Sequence, residues 1–124
     1  MGRICDFIVS IVKLVIRTWF PKPRWKTYAA QSGYVYQYVF EGLKDEREYL
    51  FRAVSGEQIE MNCSVEFSAQ TWIGANRELS DIERYGIAKI ALLRSLDEPE
   101  PPTTLRSIRP SESEVADICR ELDL

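Results

Sequence analysis

Two pairs of carboxylates invite an acid–base reading, Glu60 with Glu66 and Asp81 with Glu83. Glu60 and Glu66 lie on the polar side of one alternating stretch, about 20 Å apart along a strand, too far for a single reacting centre. Asp81 and Glu83 follow Ser80 in the order Ser80-Asp-Ile-Glu83, the pattern of a capping box, and acids there favour the positive end of a helix. Chemistry is not needed to explain them. The chain contains no histidine, which removes the commonest general base, the Ser-His and Cys-His nucleophile pairs and most zinc sites. Cys5, Cys63 and Cys119 are odd in number and far apart, so they form neither a CxxC pair nor a disulfide framework, and a reducing, cytoplasmic setting follows. Cys63 alternates with core residues and reads as a buried, inert thiol, while Cys5 has only Arg3 beside it to favour a thiolate. Gly33, Gly56, Gly74 and Gly86 show no phosphate-cradling spacing. The stretch Trp72-Ile-Gly-Ala-Asn76 is the one candidate pocket lip, and a turn accounts for it. No catalytic residue, cofactor or metal is expected.

Three features point instead to surfaces that meet another body. The first is the segment Ile4–Phe20, almost wholly apolar; Asp6, Ser10, Lys13 and Arg17 within it and Arg3 just before it fall within roughly 80° of arc when wound as a helix. Ile8, Ile11, Val12, Val15, Ile16 and Trp19 then form a broad apolar surface. The second is the basic-aromatic hinge that follows, with Lys22, Arg24, Trp25 and Lys26. The third is the row Tyr34, Tyr36, Tyr38 and Phe40, which on an open sheet face could stack unpaired bases.

Charge sharpens this contrast. Six lysines and arginines against the single Asp6 give residues 1–40 a charge of +5, which leaves −8 for residues 41–124 of a chain whose net charge is −3. Such a basic, tryptophan-bearing third suits an anionic surface, or neutralises the acidic body within one fold or across a homodimer. The leading segment is not read as a signal peptide, because Lys13 interrupts it and no small-residue cleavage site closes it. About 17 helical residues reach only ~25 Å, short of a bilayer's apolar core. A myristoylation motif is not met, since residue 6 is Asp.

The elements that must position these residues follow from periodicity. Pro21 and Pro23 end the leading helix. From Trp25 to Phe67 the pattern is strand-like. Tyr34–Phe40 and Glu48–Val54 alternate, and Ile59–Phe67 alternates most cleanly, with Ile59, Met61, Cys63, Val65 and Phe67 turned to the core. Short connections force an antiparallel meander of three strands, with Trp25–Ala29 a fourth. An irregular or helical piece spans Ser68–Ala75. From Ser80 a helix runs to about Leu96, with Ile82, Tyr85, Leu92, Leu93 and Leu96 on one side and Ile87 and Ala91 on the other, as a sandwiched helix requires. Asp97–Thr104 cannot be helical. Ser111 and Ser113 cap a short last helix in which Val115, Ile118, Cys119 and Leu122 share a face; about ten residues are marginal alone, so it must dock.

The expected organisation is an α+β chain: an N-terminal helix over 1–20, a core over 21–96, a Pro-rich linker over 97–110 and a short helix over 111–124. The helix–meander–helix order resembles the double-stranded-RNA-binding module in outline only, because the basic helix start that module needs is replaced by Leu79-Ser-Asp-Ile-Glu83. The expected function is a small non-enzymatic interaction domain that homodimerises or docks on a protein partner through Ile8, Ile11, Val12, Val15, Trp19, Lys22, Arg24, Trp25 and Lys26. The alternatives are a membrane-surface accessory protein held by the same residues, and single-stranded nucleic-acid binding through Tyr34, Tyr36 and Tyr38.

Overall fold

Alternation of apolar and polar residues builds four antiparallel strands, β1 (Lys26–Ala29), β2 (Val35–Lys44), β3 (Glu48–Ser55) and β4 (Glu60–Glu66), in the computed structural model, which describes residues 24–56, 58–99 and 102–124. A 3₁₀ turn (Thr71–Ala75) follows, then helix α1 (Asp81–Leu96), strand β5 (Leu105–Ile108) and helix α2 (Glu112–Glu121). The strands lie in the order β1-β2-β3-β4-β5, all neighbours antiparallel except β4 and β5, which are parallel. The fold is therefore α+β, a mostly antiparallel five-stranded sheet followed by two packed helices. The helix expected over 1–20 lies outside the described residues, as do Ile8, Ile11, Val12, Val15, Trp19 and Lys22.

One sheet face is dry. Tyr36 and Tyr38 of β2, Tyr49, Phe51 and Ala53 of β3, and Met61, Cys63 and Val65 of β4 are buried there, continued by Phe67 beyond the strand. The opposite face keeps Glu60, Asn62 and Glu66 in water, as a period of two demands. The register slips between Phe40 and Gly42, leaving Glu41 as the extra residue of a β-bulge. Its carboxylate lies 3.2 Å from Arg52 Nε. Asp45 and Glu46 both sit at positive φ, 53° and 58°, so the β2–β3 hairpin turns on two left-handed residues, as a type I′ turn requires.

The capping box forms as its residues predict: Ser80 Oγ accepts from the Glu83 amide at 3.2 Å, and the Ser80 amide donates to Glu83 at 2.9 Å. Helix α1 buries Ile87, Ala88, Ala91, Leu92 and Leu96 and touches β4, β5 and α2. Tyr85 reaches into the aromatic cluster, 4.9 Å edge-on from Phe40. Ile82, expected on the buried side, is 79% exposed, because at 100° per residue it falls past the edge of the arc that holds Ile87, Ala88, Ala91, Leu92 and Leu96. Ile59, expected in the core, is half-buried.

The segment expected as a linker over 97–110 is a linker only as far as Thr104. Leu105–Ile108 adds to the sheet beside β4, with Cys63 opposite Arg106. The last helix docks within the same chain, burying Val115, Ile118 and Cys119 in the same core. The surface it meets is the 3₁₀ turn. Gly74 makes that approach geometric: a Cβ there would fall on the Glu112 carbonyl oxygen and lie 3.2 Å from the Ala116 amide nitrogen. Arg94 adds a clamp between the helices, 3.1 Å from Asp117 and 2.7 Å from Glu121, though exposed pairs of this kind contribute little.

Gly74→Ala is expected to cost about 1–3 kcal/mol, because backbone must move to admit the methyl group. Urea unfolding measures this, and hydrogen exchange at Val115–Cys119 should accelerate. A variant as stable as the parent would show that the turn and α2 are not in register.

Candidate functional site

The residues singled out for function divide between the two faces of the sheet. Tyr36 and Tyr38 are 0% and 5% exposed, pressed under the helices, and Tyr34 is half-buried with its ring 6.2 Å from that of Tyr36. No base can stack on Tyr36 or Tyr38 without displacing the helical layer. The row that could have formed a stacking platform is part of the core, because β2 turns its even-numbered residues inward. Cys63 is likewise buried, and burial pushes its thiol up to about 11, which removes its nucleophilicity at neutral pH.

Trp25 and Arg24 precede β1 and are exposed. The Arg52 guanidinium carbon lies 5.3 Å from the centre of the Trp25 ring, a cation–π arrangement. Lys26 faces the other way. It pairs with Tyr38 across the β1–β2 ladder, and directly opposed residues share a face, so its side chain runs along the helical side of the sheet. There it meets Lys89 of α1, which burial and the neighbouring Lys26 ammonium hold below the ordinary lysine range. The sequence-expected hinge is therefore split, and it gains a lysine 63 positions away that no local pattern signalled.

Around the C-terminal end of α1 lies the densest polar network. Tyr28 donates to the Asp97 carboxylate at 2.7 and 2.8 Å, the Gln31 amide donates to the same carboxylate at 2.8 Å, and Ser32 Oγ donates to the Leu96 carbonyl at 2.8 Å. From the far edge of the sheet, Arg106 donates to the Ser95 carbonyl at 2.6 Å and to Ser95 Oγ at 3.2 Å. Arg106 is 8% exposed, and its Nη2, like the Tyr36 hydroxyl, has no hydrogen-bond partner among the described residues. A buried guanidinium costs several kcal/mol to desolvate; helix-end carbonyls offset part of that, since the helix dipole is negative there.

Concave surface is scarce. One shallow, open depression is lined by Gln37, Val54, Ser55, Gly56, Gln58 and Glu60, another by Lys44, Asp45, Arg47, Glu48 and Glu66. Neither brings a nucleophile against a base. No group of three metal-ligating side chains occurs among the described residues, and no helix there is long and apolar enough to cross a membrane. No protein-family model, curated protein or solved structure matches the chain.

Partial burial and the bond to Asp97 push the Tyr28 hydroxyl up to about 12, against ~10 in an unfolded chain. A raised pKa means the folded state holds the proton more tightly, so this contribution is complete below about pH 10 and disappears as pH rises towards about 12. Tyr28→Phe is expected to cost about 1–2 kcal/mol at pH 7 and to flatten the loss of stability across that alkaline window. Denaturant titrations at successive pH values test it; an unchanged slope would exclude Tyr28 as a contributor.

Proposed function

We propose that this chain is a small non-enzymatic interaction domain that engages a second body, in the first instance another copy of itself, through residues 4–26. The observation that carries this reading is the closure of the dry sheet face by the chain's own later elements. Tyr36, Phe51, Met61, Phe67, Ile87 and Leu92 are each no more than 2% exposed beneath or within α1 and the sheet. The apolar set Ile8, Ile11, Val12, Val15, Ile16 and Trp19 is apolar surface in addition to the residues of that core. The other face of the sheet mixes Gln37, Glu60, Asn62, Glu66 and Ser107 with exposed Val35 and Leu105, a narrower apolar surface than the leading segment offers. Symmetric pairing is the commonest way to hide such a surface.

A membrane-surface reading has one observation in its favour: Trp25 is 44% exposed beside the exposed Arg24 and Lys26, the side-chain types that settle at an anionic headgroup layer. The described residues offer no comparable support for nucleic-acid stacking.

Light scattering on the full chain is expected to give twice the 14.4 kDa chain mass, and on a version lacking residues 1–20 the single-chain mass. A full chain that is monomeric at working concentration overturns the self-association reading. Co-sedimentation with anionic vesicles, abolished by deleting residues 1–26, would transfer the role to lipid.

A further inference from the structure

The two faces of the sheet differ in what covers them. Helices α1 and α2 close one, whereas on the opposite face every strand residue except Val39 is exposed or half-buried. The ladders place the side chains of this open face. Val39, Arg52, Asn62 and Leu105 stand in one row across β2, β3, β4 and β5, and Leu50 stands in the next between Gly42 and Ser64. Neighbours with so little bulk leave Leu50 at the floor of a shallow trough. Half of the large exposed apolar side chains among the described residues, Trp25, Val35 and Leu105, belong to this face.

The chain enters the described structure at the same place. Trp25 sets its ring on the open face, 5.3 Å from the guanidinium carbon of Arg52, while Lys26 turns to the other side opposite Tyr38. Residues 1–23 lie before that entry. We propose that the open face, floored by Val39, Leu50 and Val54 between Trp25 and Leu105, is the seat of the chain's own leading segment, residues 4–20. A helix of about 25 Å fits along the ten residues of β2, which extend ~34 Å. The connector Pro21–Arg24 reaches ~14 Å when extended, enough to bring the helix from the β1 edge onto the face. Tethered so closely, the segment meets the face at an effective concentration on the order of millimolar.

Charge favours the same pairing. The face carries Glu41, Glu48, Glu60 and Glu66 against Lys44, Arg52 and Arg109, and Glu41 and Glu60 share the one Arg52 at 3.2 and 3.4 Å. Residues 1–23 bring Arg3, Lys13, Arg17 and Lys22 against Asp6. The seat goes beyond the interaction reading and does not require it. The apolar arc of the segment is wider than one contact with a sheet can hide, so its far side is left for a second copy.

The test uses the full chain, isotopically labelled, with a nitroxide on Cys5; Cys63 and Cys119 are buried. A second label at position 17, through Arg17→Cys with Cys5→Ser, reads the other end of the segment. Amides of Val39, Leu50, Val54 and Leu105 should broaden several-fold more than those of Ala88, Leu92 and Ile118 beneath the helices. Val35→Glu with Leu105→Glu, both at exposed positions, should remove most of that broadening while the amide spectrum reports a folded chain. Broadening equal on both faces, or unchanged by the paired substitution, would overturn the seat. Mixing labelled chains without nitroxide and unlabelled chains with it separates the source: open-face broadening that arises only between chains gives the seat to a second copy and overturns the assignment made here. Mass by light scattering is read on the same samples. A monomer with one-sided broadening keeps the seat and ends the self-association reading, and a dimer without it does the reverse.

Discussion

The end of a helix is a problem in hydrogen bonding, and in this chain its solution organises the sheet. The last carbonyls of α1 have no intrahelical partners, and they are met from both edges at once. On one side, Tyr28 and Gln31 bind Asp97, and Ser32 binds the Leu96 carbonyl. On the other, Arg106 reaches the Ser95 carbonyl. Edge strands β1 and β5 have four residues each, too few to be stable by ladder bonds alone. Anchoring both to one helix terminus gives each a long-range tie and sets α1 across the sheet. The aromatic cluster of Phe40, Tyr49, Phe51, Phe67 and Tyr85 then fills the space between.

The buried arginine follows from the same requirement. An apolar residue at position 106 would pack against Cys63 without a desolvation cost, but it would take from the Ser95 carbonyl its shortest donor and leave it the Glu98 amide at 3.3 Å. Arg106 carries charge into the core to serve a helix end, and part of its guanidinium remains unbonded there. Gly74 shows the converse economy. Where the 3₁₀ turn meets α2, the backbones themselves must touch, and the side chain is omitted.

Much of this fold was legible in the chain because it rests on local rules. The β4 alternation placed Met61, Cys63, Val65 and Phe67 inward, and Ser80 with Glu83 marked the start of α1 correctly. What local pattern could not show was set by distant partners. Leu105-Arg-Ser-Ile108 does not read as a strand, since its inward residue is an arginine whose purpose lies at Ser95. Ile82 shares a side with Leu92 and Leu96 by phase but lies past the edge of the arc that is buried, and where that edge falls depended on how α1 is set on the sheet. The aromatic row on β2 was visible, yet which face it would take depended on where α1 lies. Lys89 carried no signal at all; its neighbour Lys26 is brought to it only by the sheet.

That last pairing bears on how the two halves of the chain relate. Residues 1–40 carry +5 and the remainder −8, so mutual neutralisation would be the economical arrangement. Part of it is seen: Arg52 meets both Glu41 and Glu60, and Asp117 and Glu121 of α2 are taken up by Arg94 and Arg120. Those pairs all lie within residues 41–124. Among the described residues Arg24 and Lys26 form no ion pair; Arg24 is exposed, and burial and the neighbouring Lys26 lower the pKa of Lys89. Positive charge left unpaired in a chain rich in carboxylates is charge turned outward at the β1 edge, beside a sheet face that the helices already seal.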